Sequence, residues 1–189
     1  MSAMNAERLA MTMILDTGVA EGAAIAPFAR LGAITEELTS TYLASARAAL
    51  AEIVSKPQRI EALDLRRLPG EYTRNLLYGA GQMSVWAMVW APGARTSIHD
   101  HHCSCCFSVV RGAITERWFD PVDETRVKLS KVATREPGFI AAMLPTGPNI
   151  HQIVNAGDEE AISVHVYGFD HRLCGSSVHR EYRLAEAEH

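Results

Sequence analysis

The stretch "TSIHDHHCSCCFSVVRG", Thr96 to Gly112, concentrates three of the chain's eight histidines and three of its four cysteines. His99 and His101 alternate across Asp100, so in an extended segment both imidazoles project from one face and two nitrogens can share a metal ion. A third histidine, His151 in "GPNIHQIVN", follows a Gly/Pro turn and precedes another strand, where an antiparallel barrel could set it beside the pair. Three imidazoles on one face of an octahedral ion leave three positions open, and imidazole suits Fe, Zn, Cu or Ni, so these ligands do not by themselves name the metal. His102 and His189 read as surface or tail residues, while His165, His171 and His179 need their own explanations.

A second alternation occurs in "SVHVY", with Ser163, His165 and Tyr167 on one face and Val164 and Val166 on the other. Such a strand lines a polar cavity with one set and a core with the other. Three buried polar groups are costly without partners, and a hydrogen-bonded run from Ser163 through His165 to Tyr167 would satisfy them. Arg74 in "EYTRN", read without further context, is an ordinary surface charge in a loop before a strand.

These residues need elements to position them. Apolar residues at Ile34, Leu38, Tyr42, Leu43, Ala46, Leu50 and Ile53 recur every three to four positions, the stripe of an amphipathic helix that Pro57 closes. Beyond "RRLPGEYTRN" the texture changes. "MSVWAMVW", "CCFSVVRG", "AITERWF", "TRVKLSKVA", "FIAAMLP" and "AISVHVYGF" are short segments rich in β-branched and aromatic residues, punctuated by Gly, Pro and Asp. The expectation is a mainly β protein, an antiparallel sandwich or barrel with N-terminal α-helices. One domain over residues 1–189 is expected, with residues 1–60 helical and residues 61–189 forming the barrel.

Composition limits the function. With 189 residues, 48% hydrophobic and 21% charged, the chain can bury a real core, and a net charge of −4 offers no stripe for nucleic acid. Asp16 and Glu21 interrupt the longest N-terminal apolar stretch, which argues against a membrane span or a signal core. Cys103, Cys105 and Cys106 are too close in sequence to pair comfortably with one another, leaving Cys174 as the one distant partner. A disulfide scaffold is therefore disfavoured, and a reducing, cytoplasmic setting is expected.

"GARTSIHDHHCSCCFSVVRG" followed by "IHQIVN" resembles the two cupin motifs, and "YTRN" at Tyr72–Asn75 together with "SVHVY" narrows the resemblance to the cysteine dioxygenase family of thiol dioxygenases. The likeness runs from about Leu68 to Phe169, with the four motifs in the family's order. It implies a cupin β-barrel, a double-sheet jelly roll, binding mononuclear non-haem Fe(II) through His99, His101 and His151. Many cupins add a glutamate soon after the His-x-His pair, whereas this chain has cysteines there and no acid until Glu116. Three neutral ligands leave the ion's full charge to attract a thiolate.

The resemblance further implies that Arg74 contacts a substrate carboxylate, assisted by Tyr72, and that the Ser163–His165–Tyr167 triad sends the tyrosine hydroxyl toward the iron. Animal members form a thioether between that tyrosine and a cysteine after the histidine pair. The spacing from His101 to Gly112 is one residue short here, so counting forward selects Cys106 and counting backward selects Cys105. Cys105 is favoured, because a loop absorbs a deletion more easily than a strand, where a one-residue shift turns every side chain to the wrong face. Cys103 and the unused member of the pair then read as small buried hydrophobes, and Cys174 has no assigned role.

The implied activity is oxidation of a small carboxylate-bearing thiol by O₂ to its sulfinic acid, with L-cysteine first and 3-mercaptopropionate or mercaptosuccinate as alternatives. The expected protein is a monomer or weak homo-oligomer. A reading of another class is a non-catalytic metal-binding cupin that senses a small molecule.

Overall fold

The computed structural model describes residues 26–145 and 149–185, so Gly147 and Pro148, assigned to a turn before His151, lie outside the described residues, as does His189. The helical periodicity materialises as α1 (Ala26–Ser55), and Pro57 opens the short α2 (Gln58–Glu61). The chain divides into two compact units at residues 41 and 42. In the first, the described stretch is the N-terminal part of α1, where Phe28, Leu31, Ile34 and Leu38 are all exposed. The apolar stripe is therefore buried over only part of its length: Ile34 and Leu38, expected to face a core, are 45% and 65% exposed.

In the second unit, residues of α1 from Tyr42 onward join a core cluster with one face of a five-stranded sheet. That sheet has the order β1 (Tyr72–Ala80), β2 (Met83–Trp90), β9 (Ala161–Tyr167), β4 (Cys105–Arg111), β7 (Ile140–Met143). The second sheet runs β10 (Val178–Leu184), β3 (Ile98–His101), β8 (His151–Val154), β5 (Ile114–Pro121), β6 (Arg126–Arg135). It closes on itself through a parallel contact of β10 with β6, while the other pairings are antiparallel. This is the mainly β double-sheet barrel with N-terminal helices that the sequence leads one to expect.

β9 is buried on both faces, and the two faces do different work. Ile162, Val164 and Val166 pack with Leu50, Ile60, Val89 and Cys106 in an aliphatic cluster. Fully buried side chains of this size contribute about 1.5–3 kcal/mol each, which anchors this half of α1. Tyr167 belongs instead to the aromatic cluster of Trp90, Phe107, Cys103 and Cys105.

Two strands escape the sequence patterns. β10 carries mostly exposed polar residues and alternates weakly, and β1 begins inside what reads as a loop. Each is identified by its partner: β10 by β3, to which Asp100 ties it, and β1 by β2. The Asp100 carboxylate accepts from the Arg180 backbone N–H at 2.7 Å and from the Tyr182 hydroxyl at 2.9 Å.

Candidate metal centre

β3 places His99 and His101 on one face, and β8 sets His151 directly opposite His99 in the ladder. All three rings are buried, and one nitrogen from each lies within 4.8 Å of the others. The Nδ1 atoms face acceptors. His99 Nδ1 is 3.0 Å from the Ser97 carbonyl, and His101 Nδ1 is 3.3 Å from the Ser177 carbonyl and 3.1 Å from its hydroxyl. His151 Nδ1 is 3.2 Å from a Glu116 carboxylate oxygen. Carbonyl and carboxylate oxygens only accept, so the Nδ1 atoms carry the protons and the Nε2 lone pairs are left bare.

His101 Nε2 and His151 Nε2 stand 3.0 Å apart. With their protons committed elsewhere, two lone pairs oppose each other in a buried site, an arrangement that a shared cation relieves. The spacing also suits two neighbouring ligands at about 2.1 Å from one ion. The donor set fits a mononuclear transition metal with open positions.

Electrostatics agree with neutral ligands. Burial, with the nearby His151 ring adding to it, lowers His99 to a pKa of about 4 and His101 to about 2. Burial pushes the Glu116 carboxyl up, but the hydrogen bond from His151 and the Arg135 guanidinium more than offset it, leaving the group below its ordinary range.

Around the histidines lies a cavity of about 410 Å³ whose lining includes Tyr72, Arg74, Cys105, His165 and Tyr167. Tyr72 stacks on Trp90 with ring centres 5.0 Å apart. Arg74, two residues on, lies over the Trp86 ring at 5.4 Å and donates to the Gly175 carbonyl at 3.2 Å.

On β9 the three polar groups form a directed run. Trp90 Nε1–H can only donate, and it donates to Ser163 Oγ at 2.8 Å. Ser163 Oγ lies 2.8 Å from His165 Nε2, and His165 Nδ1 lies 3.4 Å from the Tyr167 oxygen. With Ser163 donating, the Nδ1–H faces Tyr167 and leaves the phenol proton free to point elsewhere. Burial raises the Tyr167 phenol well above its usual range, with Cys105 adding to this and Ser177 and Arg74 opposing it. Burial lowers His165 to about 3, so this ring too is neutral.

Cys105 lies directly across from Tyr167 in the β4–β9 ladder, whereas Cys106 pairs with Val166 and turns into the aliphatic cluster. Strand alternation thus gives Cys105 and Cys106 opposite faces, and the residue opposite Tyr167 is Cys105. Cys103 is buried as well. Of the residues expected to form the site, Tyr72, Arg74, His99, His101, Cys105, His151, His165 and Tyr167 line one cavity, and Ser163 touches it through His165. Sequence reasoning missed Trp90, Ser177 and Arg135, and it noted Glu116 only as the first acid downstream. Trp90 carries the local signal of an aromatic at the end of an apolar strand, but the pairing that sets it beside Ser163 spans 73 residues.

Curated cysteine dioxygenase type 1 from Rattus norvegicus and from Homo sapiens are each 33% identical over 102 residues, covering 51% of this chain and 50% of theirs. The chain thus spans about half the length of the curated relatives it matches. Among solved structures, a Klebsiella pneumoniae protein with a double-stranded β-helix domain is 22% identical, with a TM-score of 0.45 over 56% of this chain and 84% of that one. The sequence model of cysteine dioxygenase type I matches residues 58–175, a stretch holding all three histidines, Arg74, Cys105 and Tyr167. The chain belongs to the cysteine dioxygenase type I family.

Proposed function

We propose that the chain is an iron(II)-dependent thiol dioxygenase that converts a small carboxylate-bearing thiol, L-cysteine by preference, to its sulfinic acid with both atoms of O₂. The observation that carries this reading is the convergence of three bare imidazole nitrogens at the wall of a cavity that also holds a guanidinium and a phenol. His99, His101 and His151 would hold Fe(II), which supplies a binding place for sulfur and O₂ and the means of bringing them to react.

The remaining work falls to the chain's own groups. Arg74, braced by the Trp86 face and the Gly175 carbonyl, binds the carboxylate with a charge-assisted contact and so orients the thiol. Tyr72 packs beside it. The Trp90–Ser163–His165 run donates into the Tyr167 oxygen and keeps its hydroxyl proton available to the cavity, where it hydrogen-bonds to developing negative charge. Its position opposite Tyr167 supports Cys105 as the thioether partner. Among the described residues no helix is long and apolar enough to cross a membrane. A cytoplasmic setting and a monomer or weak homo-oligomer belong to the same proposal.

The test is oxygen uptake by Fe(II)-loaded protein with L-cysteine, 3-mercaptopropionate and mercaptosuccinate, with the sulfinic acid product identified by mass. Highest kcat/KM for L-cysteine is expected. A strong preference for mercaptosuccinate would overturn the substrate, and tight zinc with no thiol-dependent uptake would favour a binding protein instead.

A further inference from the structure

The three histidines, Arg74 and Tyr167 line the cavity, whereas one buried ion pair stands behind His151. Glu116 on β5 is completely buried, and its two carboxylate oxygens have different partners. Oε1 accepts from His151 Nδ1 at 3.2 Å. Oε2 accepts from Arg135 Nε at 2.8 Å and Nη2 at 2.7 Å. The guanidinium carbon of Arg135, at the end of β6, lies over the Phe139 ring at 4.1 Å. A buried carboxylate is expensive, and a histidine that only packed would not need one.

The other two ligand histidines give their Nδ1 protons to Ser177 and to the Ser97 backbone. His151 alone gives its proton to an ion.

We propose that Arg135 and Glu116 are positioning residues for the metal centre. Arg135 clamps one carboxylate oxygen so that the other fixes His151 in the Nδ1–H tautomer, presents its Nε2 toward the other two rings and makes that nitrogen the most strongly donating of the three. The proposal rests on the reading of the three histidines as a metal site and not on the thiol chemistry. Carboxylate–histidine–metal arrangements of this kind change metal affinity by 10–100-fold when the outer partner is lost.

Two readouts test it without any thiol turnover. In metal-free protein, ¹⁵N imidazole spectra report which ring nitrogen carries the proton, and Co(II) titration reports affinity. The wild-type protein should show His151 as the Nδ1–H tautomer. Glu116→Gln, which keeps the volume, should bind Co(II) about 10-fold or more weakly and move His151 toward the Nε2–H form. Arg135→Met should shift both readouts in the same direction by less, while His99 and His101 keep their tautomers. A merely structural role would lower the unfolding midpoint and leave tautomer and affinity alone. Wild-type affinity and an unchanged His151 tautomer in folded Glu116→Gln protein would overturn the proposal. Should Glu116→Gln not fold, the same result in Arg135→Met would overturn it. Loss of these properties in a protein that oxidises no thiol would leave it standing and sink only the activity.

Discussion

At the scale of single residues, the roles separate by what each group touches. His99 and His151 offer ring nitrogens to a shared point, whereas Arg74 contacts Trp86 and Gly175 on the cavity wall. His99→Ala and His151→Ala should each abolish iron retention, measured as metal per chain after desalting. Arg74→Ala should keep its iron and raise KM for carboxylate-bearing thiols about 10-fold or more, the worth of a charge-assisted hydrogen bond, with a smaller change in kcat. Equal iron loss in the Arg74 variant would contradict its role. The two adjacent cysteines can be told apart in the same way. If the thioether forms, Cys105→Ser should remove the loss of two hydrogens seen by intact mass, and Cys106→Ser should preserve it, because Cys106 faces Val166's side of the strand.

At the scale of elements, the site depends on strand register and on the helix that backs β9. Leu50 is 1% exposed within the cluster of α1 and β9, so Leu50→Ala should cost about 2–5 kcal/mol in urea unfolding. Leu38→Ala, at a position 65% exposed on the same helix, should change stability by less than about 0.5 kcal/mol. Gly112 turns the chain from β4 into β5 at φ +65°, and a Cβ there would sit 2.7 Å from the Glu160 carbonyl oxygen. Gly112→Ala should therefore cost about 2 kcal/mol or more, combining left-handed strain with backbone collision. A neutral result would mean that the turn relaxes freely. The helix was readable from its three-to-four spacing, and six strands from β-branched and aromatic residues set between turn residues. β10 was not, since its polar residues are held by Asp100 and by pairing with β3, neither of which leaves an apolar rhythm.

The whole molecule is poised against acid. His99, His101 and His165 are held near pKa values of about 4, 2 and 3 by burial, against an ordinary 6.5. Unfolded chains take up these protons below pH 6.5 while the folded state refuses them, so stability is undiminished above that pH and falls as pH drops through it. Each ring contributes a slope of about 1.4 kcal/mol per pH unit until its folded value is reached. Metal-free protein should thus show a urea midpoint that is level above about pH 6.5 and declines from there to about pH 5, and a midpoint flat over that lower range would contradict the buried neutral rings. Metal acts in the opposite sense. Saturation with Fe(II) or Co(II) at about 100 times Kd should add about 2.7 kcal/mol, a rise in Tm of about 5–10 °C reversed by chelator.

The sequence alone determined the candidates: which histidines could share a metal, which arginine and tyrosine the family motifs single out, and that short β-branched and aromatic segments would form an antiparallel sandwich or barrel around them. That much is legible because alternation along a strand decides facing from sequence distance alone, as it did for His99 with His101 and for Ser163 with Tyr167. Only the tertiary structure decided who answers whom across the barrel. Cys105 rather than Cys106 opposite Tyr167, Trp90 at the head of the Ser163–His165 run, and Glu116 with Arg135 behind His151 are all pairings between strands. Their partners are set by ladder register and sheet closure, which bring together residues 19 to 73 positions apart and leave no mark in either segment.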